Sequence, residues 1–373
     1  MAKIKQKNNN VASKFTKRLE NIPAEIISKI AKIDELKGNW VSGAKLNPQI
    51  LGRLKRSVLI TSTGASTRIE GAMLSDEDIE KVMRGINIQK FADRDKQEVK
   101  GYYELLENIF DSWERLKFSE GSIKHFHKEL LKYSDKDQGH LGDYKFGENK
   151  VAAYDQAGKE VGIIFNPTSP YLTPKEMLEL IESTNFLLAE RKYHPLLVIA
   201  NFLVEFLTIH PFQDGNGRIS RVLTNLLLLQ TGYLYMPYVS HEKLVEDNKT
   251  AYYLALRRSQ KTFQTRVESI TPWLEFFLTI LLQQSQTAAE LLSKENIEKL
   301  LSEKQLAIWK FFEQIEITST GELVSETNIP RPTVKQALEV LLKLKKIERI
   351  GQGRSTRYKK TQVRKTQSRT VIN

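Results

Sequence analysis

The sequence predicts a mainly α-helical protein with one β-hairpin, followed by a small C-terminal module of three helices and a two-stranded wing. Three observations predict it. Apolar residues recur at helical spacing as far as residue 285, starting with Ile26, Ile27, Ile30 and Ile33. One interval, residues 140–174, breaks that period with two short β-prone runs and three prolines. From Ser302 the order is helix, short helix, turn, helix, hairpin, which is a winged helix-turn-helix pattern.

Residues 1–20 are polar, basic and Asn-rich and are read as a loosely packed N-terminal segment. Helical periodicity begins in "AEIISKIAKIDELKGNW". A second helix follows Pro48 through "QILGRLKRSVLITSTGASTRIEG" and is expected to stop at Gly71, since glycine readily adopts the left-handed backbone that ends helices. In "SDEDIEKVMRGI", Ser75 is the expected N-cap, with Asp78 three residues on in a near capping box. "DKQEVKGYYELLENIFDSWERL" and "SEGSIKHFHKELLKYS" read as two more amphipathic helices. The runs "KVAAY" and "VGIIF" flank "DQAGKE" as a hairpin, and Pro167, Pro170 and Pro174 end it. Helices resume through "KEMLELIESTNFLLAE", "HPLLVIANFLVEFLTIH", "SRVLTNLLLLQTG", "NKTAYYLALRRSQ" and "ITPWLEFFLTILLQQSQ". The expected divisions are a helical region at 21–110, a core at 111–285, a charged helical connector at 286–301, the winged module at 302–360 and a basic tail at 361–373. Pro332 fits an early position of the module's third helix. Arg354, Arg357, Lys359, Lys360, Arg364, Lys365 and Arg369 crowd the end of the chain, with no acid among residues 354–373.

The totals set bounds. The chain has 373 residues, enough for two or three domains, and 40% hydrophobic residues, enough for a sizeable core. A net charge of +12 suits a polyanionic partner such as a nucleotide or nucleic acid. The absence of cysteine excludes disulfides and thiolate metal sites. The start, "MAKIKQKNNN", lacks the apolar core of a secretory signal. The longest apolar stretch carries Asn201 and Glu205 and falls short of the ~20 apolar residues of a membrane span. The expectation is a soluble cytoplasmic protein with no membrane partner.

One segment interrupts the apolar texture, "TIHPFQDGNGRISR", Thr208 to Arg221. Gly215 and Gly217 bracket Asn216 just before a long helix. Glycines allow a tight turn whose N–H groups converge, and the helix N-terminus adds free N–H groups and a positive dipole end. Together these suit a phosphate. Arg218 and Arg221, at (i, i+3) spacing, lie on the same side of that helix, where two guanidinium forks suit several phosphate groups. Asp214 beside such a cradle calls for a cation between carboxylate and phosphate, and Mg²⁺ fills that role. His210 is the group that titrates near neutrality and can accept a proton from an attacking hydroxyl. Singly, each feature has a plain structural reading: a helix-end histidine, a turn, surface ion-pair partners. Their conjunction within twelve positions points to a nucleotide-phosphate site with a proton-transfer histidine. No Lys-Ser/Thr follows the glycines, so this is not a Walker A loop.

These residues resemble the Fic family signature, HxFx(D/E)GNGRxxR, at every fixed position, and the likeness extends over roughly residues 20–285. It implies a helical catalytic core with a hairpin flap, and transfer of AMP from ATP to a Ser, Thr or Tyr hydroxyl of a protein, with Mg²⁺ as cofactor and ATP as co-substrate. Under it, His210 would be the general base, Phe212 a buried anchor and Asp214 the Mg²⁺ ligand. Asn216 and Gly217, with the Gly215 backbone, would contact the phosphates, Arg218 the β-phosphate and Arg221 the γ-phosphate. Gly162, Ile163, Ile164 and Phe165 resemble the flap that aligns a target peptide by strand addition. Asn248, Tyr252 and Tyr253 resemble the adenine-side residues, although the tyrosines equally suit core packing. Upstream, "STRIEG", Ser66 to Gly71, resembles the family's inhibitory motif, with Ser66, Glu70 and Gly71 at its fixed positions and a placement before the core. Glu70 would then engage Arg221, while Ser66 would hydrogen-bond to the motif loop.

The leading expectation is an autoinhibited protein adenylyltransferase whose partners are ATP and a hydroxyl-bearing protein, itself included. The alternatives are a nucleotide-sensing DNA-binding regulator, or an enzyme of the same family that removes AMP or transfers another group. The winged module is read as a docking point for DNA or for a protein, and the chain as compatible with a homodimer.

Overall fold

In a computed structural model the described residues are 15–43, 48–85, 93–149, 151–154, 160–263, 265, 267–343, 346–351, 353 and 356–361. The N-terminal segment up to residue 14, the hairpin turn at 155–159 and the basic tail from residue 362 lie outside them. The fold is mainly α-helical, with one two-stranded and one three-stranded sheet among the described residues. The chain divides into two compact units, Met1–Glu290 and Leu291–Asn373.

In the first unit the elements run α1 (Ala24–Gly43), α2 (Pro48–Ile69), α3 (Asp76–Met83), α4 (Asp93–Ser112), α5 (Glu120–Leu131), β1 (Val151–Tyr154), β2 (Glu160–Phe165), α6 (Thr173–Glu190), α7 (Pro195–Ile209), α8 (Asn216–Gln230), α9 (His241–Asp247), α10 (Lys249–Gln260) and α11 (Thr271–Leu300). Helix α7 is apolar on nearly all its positions and is correspondingly buried from Leu196 to Leu207. Each fully buried Leu, Ile or Phe there contributes about 1.5–3 kcal/mol of transfer free energy. Its two buried polar residues are paired: Asn201 donates to the Phe15 carbonyl at 2.9 Å, and Glu205 pairs with buried Arg18, which also reaches Glu268 at 2.6 Å. Helix α2 packs against α3, α4, α8 and α9, so the residues at its C-terminal end lie over the start of α8. Ser75 caps α3 in a complete capping box with Asp78. Strands β1 and β2 pair antiparallel, with Val151 opposite Phe165 and Ala153 opposite Gly162.

Three elements differ from expectation. Helix α9 was not foreseen; it is a short helix capped by Ser240. The connector expected at 286–301 is helical as far as Leu300, but as the uninterrupted end of α11, because "TAAELLSKENIEKL" holds no Gly or Pro to break it. In the second unit a two-residue strand, β3 (Ile317–Thr318), joins the sheet.

The second unit runs α12 (Glu303–Gln314), β3, α13 (Thr320–Thr327), α14 (Arg331–Lys343), β4 (Ile347–Ile350) and β5 (Arg357–Lys360), with the antiparallel sheet ordered β3-β5-β4. Its core gathers Ile308, Trp309, Phe312, Leu323, Val334, Leu338, Leu341 and Ile347. Capping boxes at Ser302/Gln305 and Ser319/Glu322 fix the starts of α12 and α13. No helix among the described residues is long and apolar enough to cross a membrane.

Candidate active site

The loop between α7 and α8 is braced from inside. Asn216 accepts from the Phe212 N–H at 2.9 Å and donates to the Phe212 carbonyl at 2.8 Å. With one bond on each half of its amide, the side chain holds the loop closed. Gly215 has φ +80, a left-handed conformation that strains any residue with a Cβ. Asn216, Gly217 and Arg218 open α8, and such first-turn N–H groups have no acceptor within the helix. The Phe212 ring is fully buried and stacks on His127, centroids 3.9 Å apart and planes within 4°.

His127 was not singled out from the sequence. Its Nδ1 accepts from the Gly142 N–H at 3.0 Å, so Nε2 carries the proton and donates to the Asp214 carbonyl at 3.1 Å. Burial pushes its pKa down to about 4, which keeps it neutral at neutral pH, and the Gly142 bond selects that tautomer. The signal was present: His127 occupies the buried stripe of α5 between Ile123 and Leu130, where an apolar residue is the rule.

His210 closes α7 with φ +51, its N–H donating to the Phe206 carbonyl at 2.9 Å. Its Nδ1 lies 3.4 Å from the Leu207 carbonyl, which can only accept, leaving Nε2 with the free lone pair. Burial, with nearby Lys145 adding to it, lowers the His210 pKa to about 4. Two further unforeseen residues set this turn. Buried Lys145 donates from Nζ to the Ile209 carbonyl and to Asn149, both at 2.9 Å, and from its backbone to the Pro211 carbonyl at 2.8 Å. Asn149 in turn donates to the Phe212 carbonyl at 3.0 Å. The flap reaches the same point: the Phe165 ring meets the His210 ring edge-on at 6.3 Å. The backbones of Gly162, Ile163 and Ile164 form β2 as expected.

Both motif arginines are buried, and each has a carboxylate partner. Arg218 pairs with Glu98 of α4 at 2.8 Å and with Asp214 at 3.3 Å. Arg221 pairs with Glu70 at 2.7 Å and donates to the Ser66 hydroxyl at 2.7 Å and the Ser66 carbonyl at 3.0 Å. Ser66 therefore binds Arg221 inside α8, not the motif loop, because the end of α2 overlies that helix one turn further along. Gly71, at φ +104, follows the end of α2 and turns the chain away. Arg68, two residues before Glu70, is engaged instead with Glu246 at 2.6 Å and Asp76 at 3.0 Å. A Cβ on Gly217 would collide with the Glu70 carboxylate, so glycine is what lets that acid lie over the helix start.

Asp214 accepts from the Gly215 N–H at 2.6 Å. Burial would raise its pKa, but Arg218, that N–H bond and Arg94 outweigh it and hold the carboxyl below its ordinary value. On the adenine side, Asn248 donates to the Leu244 carbonyl at 2.9 Å, which caps α9. Tyr252 is buried against Trp273 and Phe276, each 5.7 Å away, in the core-packing role. Tyr253 is the exposed one of the pair, and Asn248 lines an open groove with Lys29, Leu254 and Arg258.

Residues 117–228 match the model of the Fic/DOC family, an interval that takes in α5, the flap, α7 and most of α8. That interval is similar to a Fic domain. Over 225 residues it is 27% identical to a probable protein adenylyltransferase of Aquifex aeolicus, covering 58% of this chain and 62% of that protein. Over 112 residues it is 30% identical to the protein adenylyltransferase Fic of Aedes aegypti, covering 30% of this chain and 19% of that protein. The chain thus spans about three fifths of the first relative's length and about a fifth of the second's. A Fic family protein from Desulfovibrio desulfuricans G20 shares the fold, with a TM-score of 0.58 and 24% identity over 91% of this chain and 97% of that one. The matched interval holds His210, Asp214, Arg218 and Arg221, whereas Glu70, Ser66 and Glu98 reach the site from outside it.

Proposed function

We propose that this chain is a protein adenylyltransferase that moves AMP from ATP to a Ser, Thr or Tyr hydroxyl of a protein, with Glu70 as a built-in restraint. The observation that carries this is the placement of His210, neutral at pH 7 and held in a left-handed turn, immediately before a helix N-terminus whose first turns present two buried guanidinium groups. His210 accepts the hydroxyl proton at Nε2, and the hydroxyl oxygen attacks the α-phosphorus as the bond to the β-phosphate bridge breaks. Arg218 and Arg221, released from their carboxylates, neutralise charge on the departing pyrophosphate. The flap strand aligns the target backbone by strand addition beside His210.

Asp214 fits a magnesium ion. Its side chain is 38% exposed, and its Oδ2 lies 3.8 Å from Arg94. Among the described residues no cluster of three or more His, Cys, Asp or Glu could form a complete protein cage. A single carboxylate is what Mg²⁺ uses where water and phosphate oxygens supply its other ligands. Bound there, the ion would neutralise phosphate charge. Incubation with ATP and Mg²⁺ should add an AMP mass to hydroxyl side chains, read by mass spectrometry. EDTA should abolish the adduct, and Asp214→Ala should damage transfer more than nucleotide binding. An adduct that survives EDTA would remove the metal from this reading.

The second unit has the element order of a winged helix-turn-helix, and Arg331, Lys335 and Lys343 are exposed along α14. We read it as an accessory docking module. Deletion from residue 302 onward should leave AMP transfer largely intact. If duplex DNA is the partner, its affinity should fall steeply with salt as Lys and Arg contacts release counterions. Absent or salt-insensitive retention would instead favour a protein partner.

A further inference from the structure

Four charges close into a ring at the mouth of the phosphate cradle. Arg94 Nε is 2.8 Å from Glu98 Oε1, Glu98 Oε2 is 2.8 Å from Arg218 Nη1, Arg218 Nη2 is 3.3 Å from Asp214 Oδ1, and Asp214 Oδ2 is 3.8 Å from Arg94 Nη2. Two cations and two anions sum to zero, so the ring is self-neutralised until a ligand enters. Its members differ in freedom. The side chains of Arg218 and Glu98 are 2% and 7% exposed, whereas that of Arg94 is 52% exposed. Glu98 lies one helical turn after Arg94, so it holds the Arg94 guanidinium at its Nε edge and leaves the terminal nitrogens toward Asp214. The 3.8 Å contact is the longest link in the ring, and Arg94 is the one cation able to leave it without unburying.

We propose that Arg94 is a third phosphate-binding guanidinium of this site, recognising the outer phosphates of a nucleoside polyphosphate. This rests on the nucleotide-binding reading above and adds a residue that lies outside both the signature loop and the Fic-matched interval. Magnesium or phosphate arriving at Asp214 would compete for the Asp214 carboxylate or for Arg94 itself. Arg94 then turns about its Glu98 anchor toward the entering anion, where its planar fork makes charge-assisted contacts. A monophosphate held at the α-position offers no outer phosphate, so the contribution of Arg94 is specific to di- and triphosphates.

Calorimetric titration of the full chain with ATP, ADP and AMP, in EDTA so that no transfer occurs, tests this. Arg94→Ala should weaken ATP and ADP binding about tenfold, the size of one charge-assisted contact, and leave AMP binding unchanged. Arg94→Gln, which removes the charge and keeps the length, gives the same reading should the alanine variant fail to fold. Unchanged ATP affinity overturns the proposal, as does a parallel loss of AMP binding, which would mean that Arg94 merely props the loop. If the wild-type chain binds no ATP, the nucleotide reading falls and Arg94 with it. If wild type binds ATP and the variant binds it equally, the Arg94 assignment alone falls.

Discussion

Replacing His210 with alanine should lower AMP transfer by about 10²–10⁴-fold, the loss expected when a positioned base is removed, while ATP binding stays close to wild type. The separation follows from geometry. In the proposed reading the phosphates are held by the backbone at the start of α8 and by Arg218 and Arg221, and Asn216 holds that loop through two bonds to Phe212 that do not involve the imidazole. The turn itself is set by Lys145 and Asn149, which bind the carbonyls of Ile209, Pro211 and Phe212. Removing the ring therefore takes away a proton acceptor and leaves the scaffold. The pH profile adds a second reading. Burial lowers the His210 pKa to about 4, below the ordinary histidine value. The neutral, proton-accepting form is then dominant at pH 7, and transfer should persist as pH falls through the usual histidine range, failing only toward pH 4. Rates of adduct formation measured alongside ATP affinity decide the matter; full transfer by His210→Ala would end the assignment of His210 as base.

What could be read in advance divides along a physical line. Local determinants were legible: the Ser75 capping box, the glycines of the loop, the helical stripes, the two strands of the flap and the spacing of Arg218 from Arg221. Each is written within a few residues of where it acts. Long-range partners were not legible. Lys145, Asn149 and His127 look like ordinary residues of a loop and a helix, yet they hold the carbonyls and the aromatic ring that shape a loop far along the chain. Glu98 and Arg94 sit in a charged stretch, "DRDKQEV", where surface solvation is the default reading. Only the packing of α4 against α8 turns that stretch into part of the site. Tyr252, for which the sequence left an adenine-side role and core packing equally open, packs on Trp273 and Phe276 while also lying beside Arg221. The Ser66–Glu70 segment was legible only through resemblance; nothing local in "STRIEG" says that its carboxylate will meet an arginine from another helix.

Glu70→Gly should raise AMP transfer, self-modification included, by at least about tenfold, which requires only ~1.4 kcal/mol of restored transition-state stabilisation. The carboxylate lies just past the end of α2, its N–H bonded to the Thr67 carbonyl, at the end of the helix dipole that disfavours an anion. It tolerates that position because Arg221 Nη2 is 2.7 Å away. The same nitrogen is 3.0 Å from the Ser66 carbonyl, and Arg221 Nε is 2.7 Å from the Ser66 hydroxyl, so the α2 end grips one whole edge of the guanidinium. Arg221 is 3% exposed and stays fully charged beside Glu70, so it has no second orientation to offer a phosphate while Glu70 remains. The acid also lies against Gly217, in the space that a phosphate at the helix N-terminus would occupy. ATP can still enter, but with its outer phosphates displaced the α-phosphorus is misaligned for in-line attack from the hydroxyl at His210, and misalignment costs rate far more than binding. Removing the side chain at Glu70 frees both the space and the guanidinium while leaving the Ser66 contacts to hold Arg221 in place. Arg221→Ala in the Glu70→Gly background should cancel the gain, because the residue released by the first change is the one deleted by the second. A stability effect could not imitate this pair of results, since loosening α2 alone would raise transfer without needing Arg221. Equal initial rates for wild type and Glu70→Gly, measured on any hydroxyl substrate that the chain modifies, would show that the Glu70–Arg221 pair is a packing contact and not a restraint.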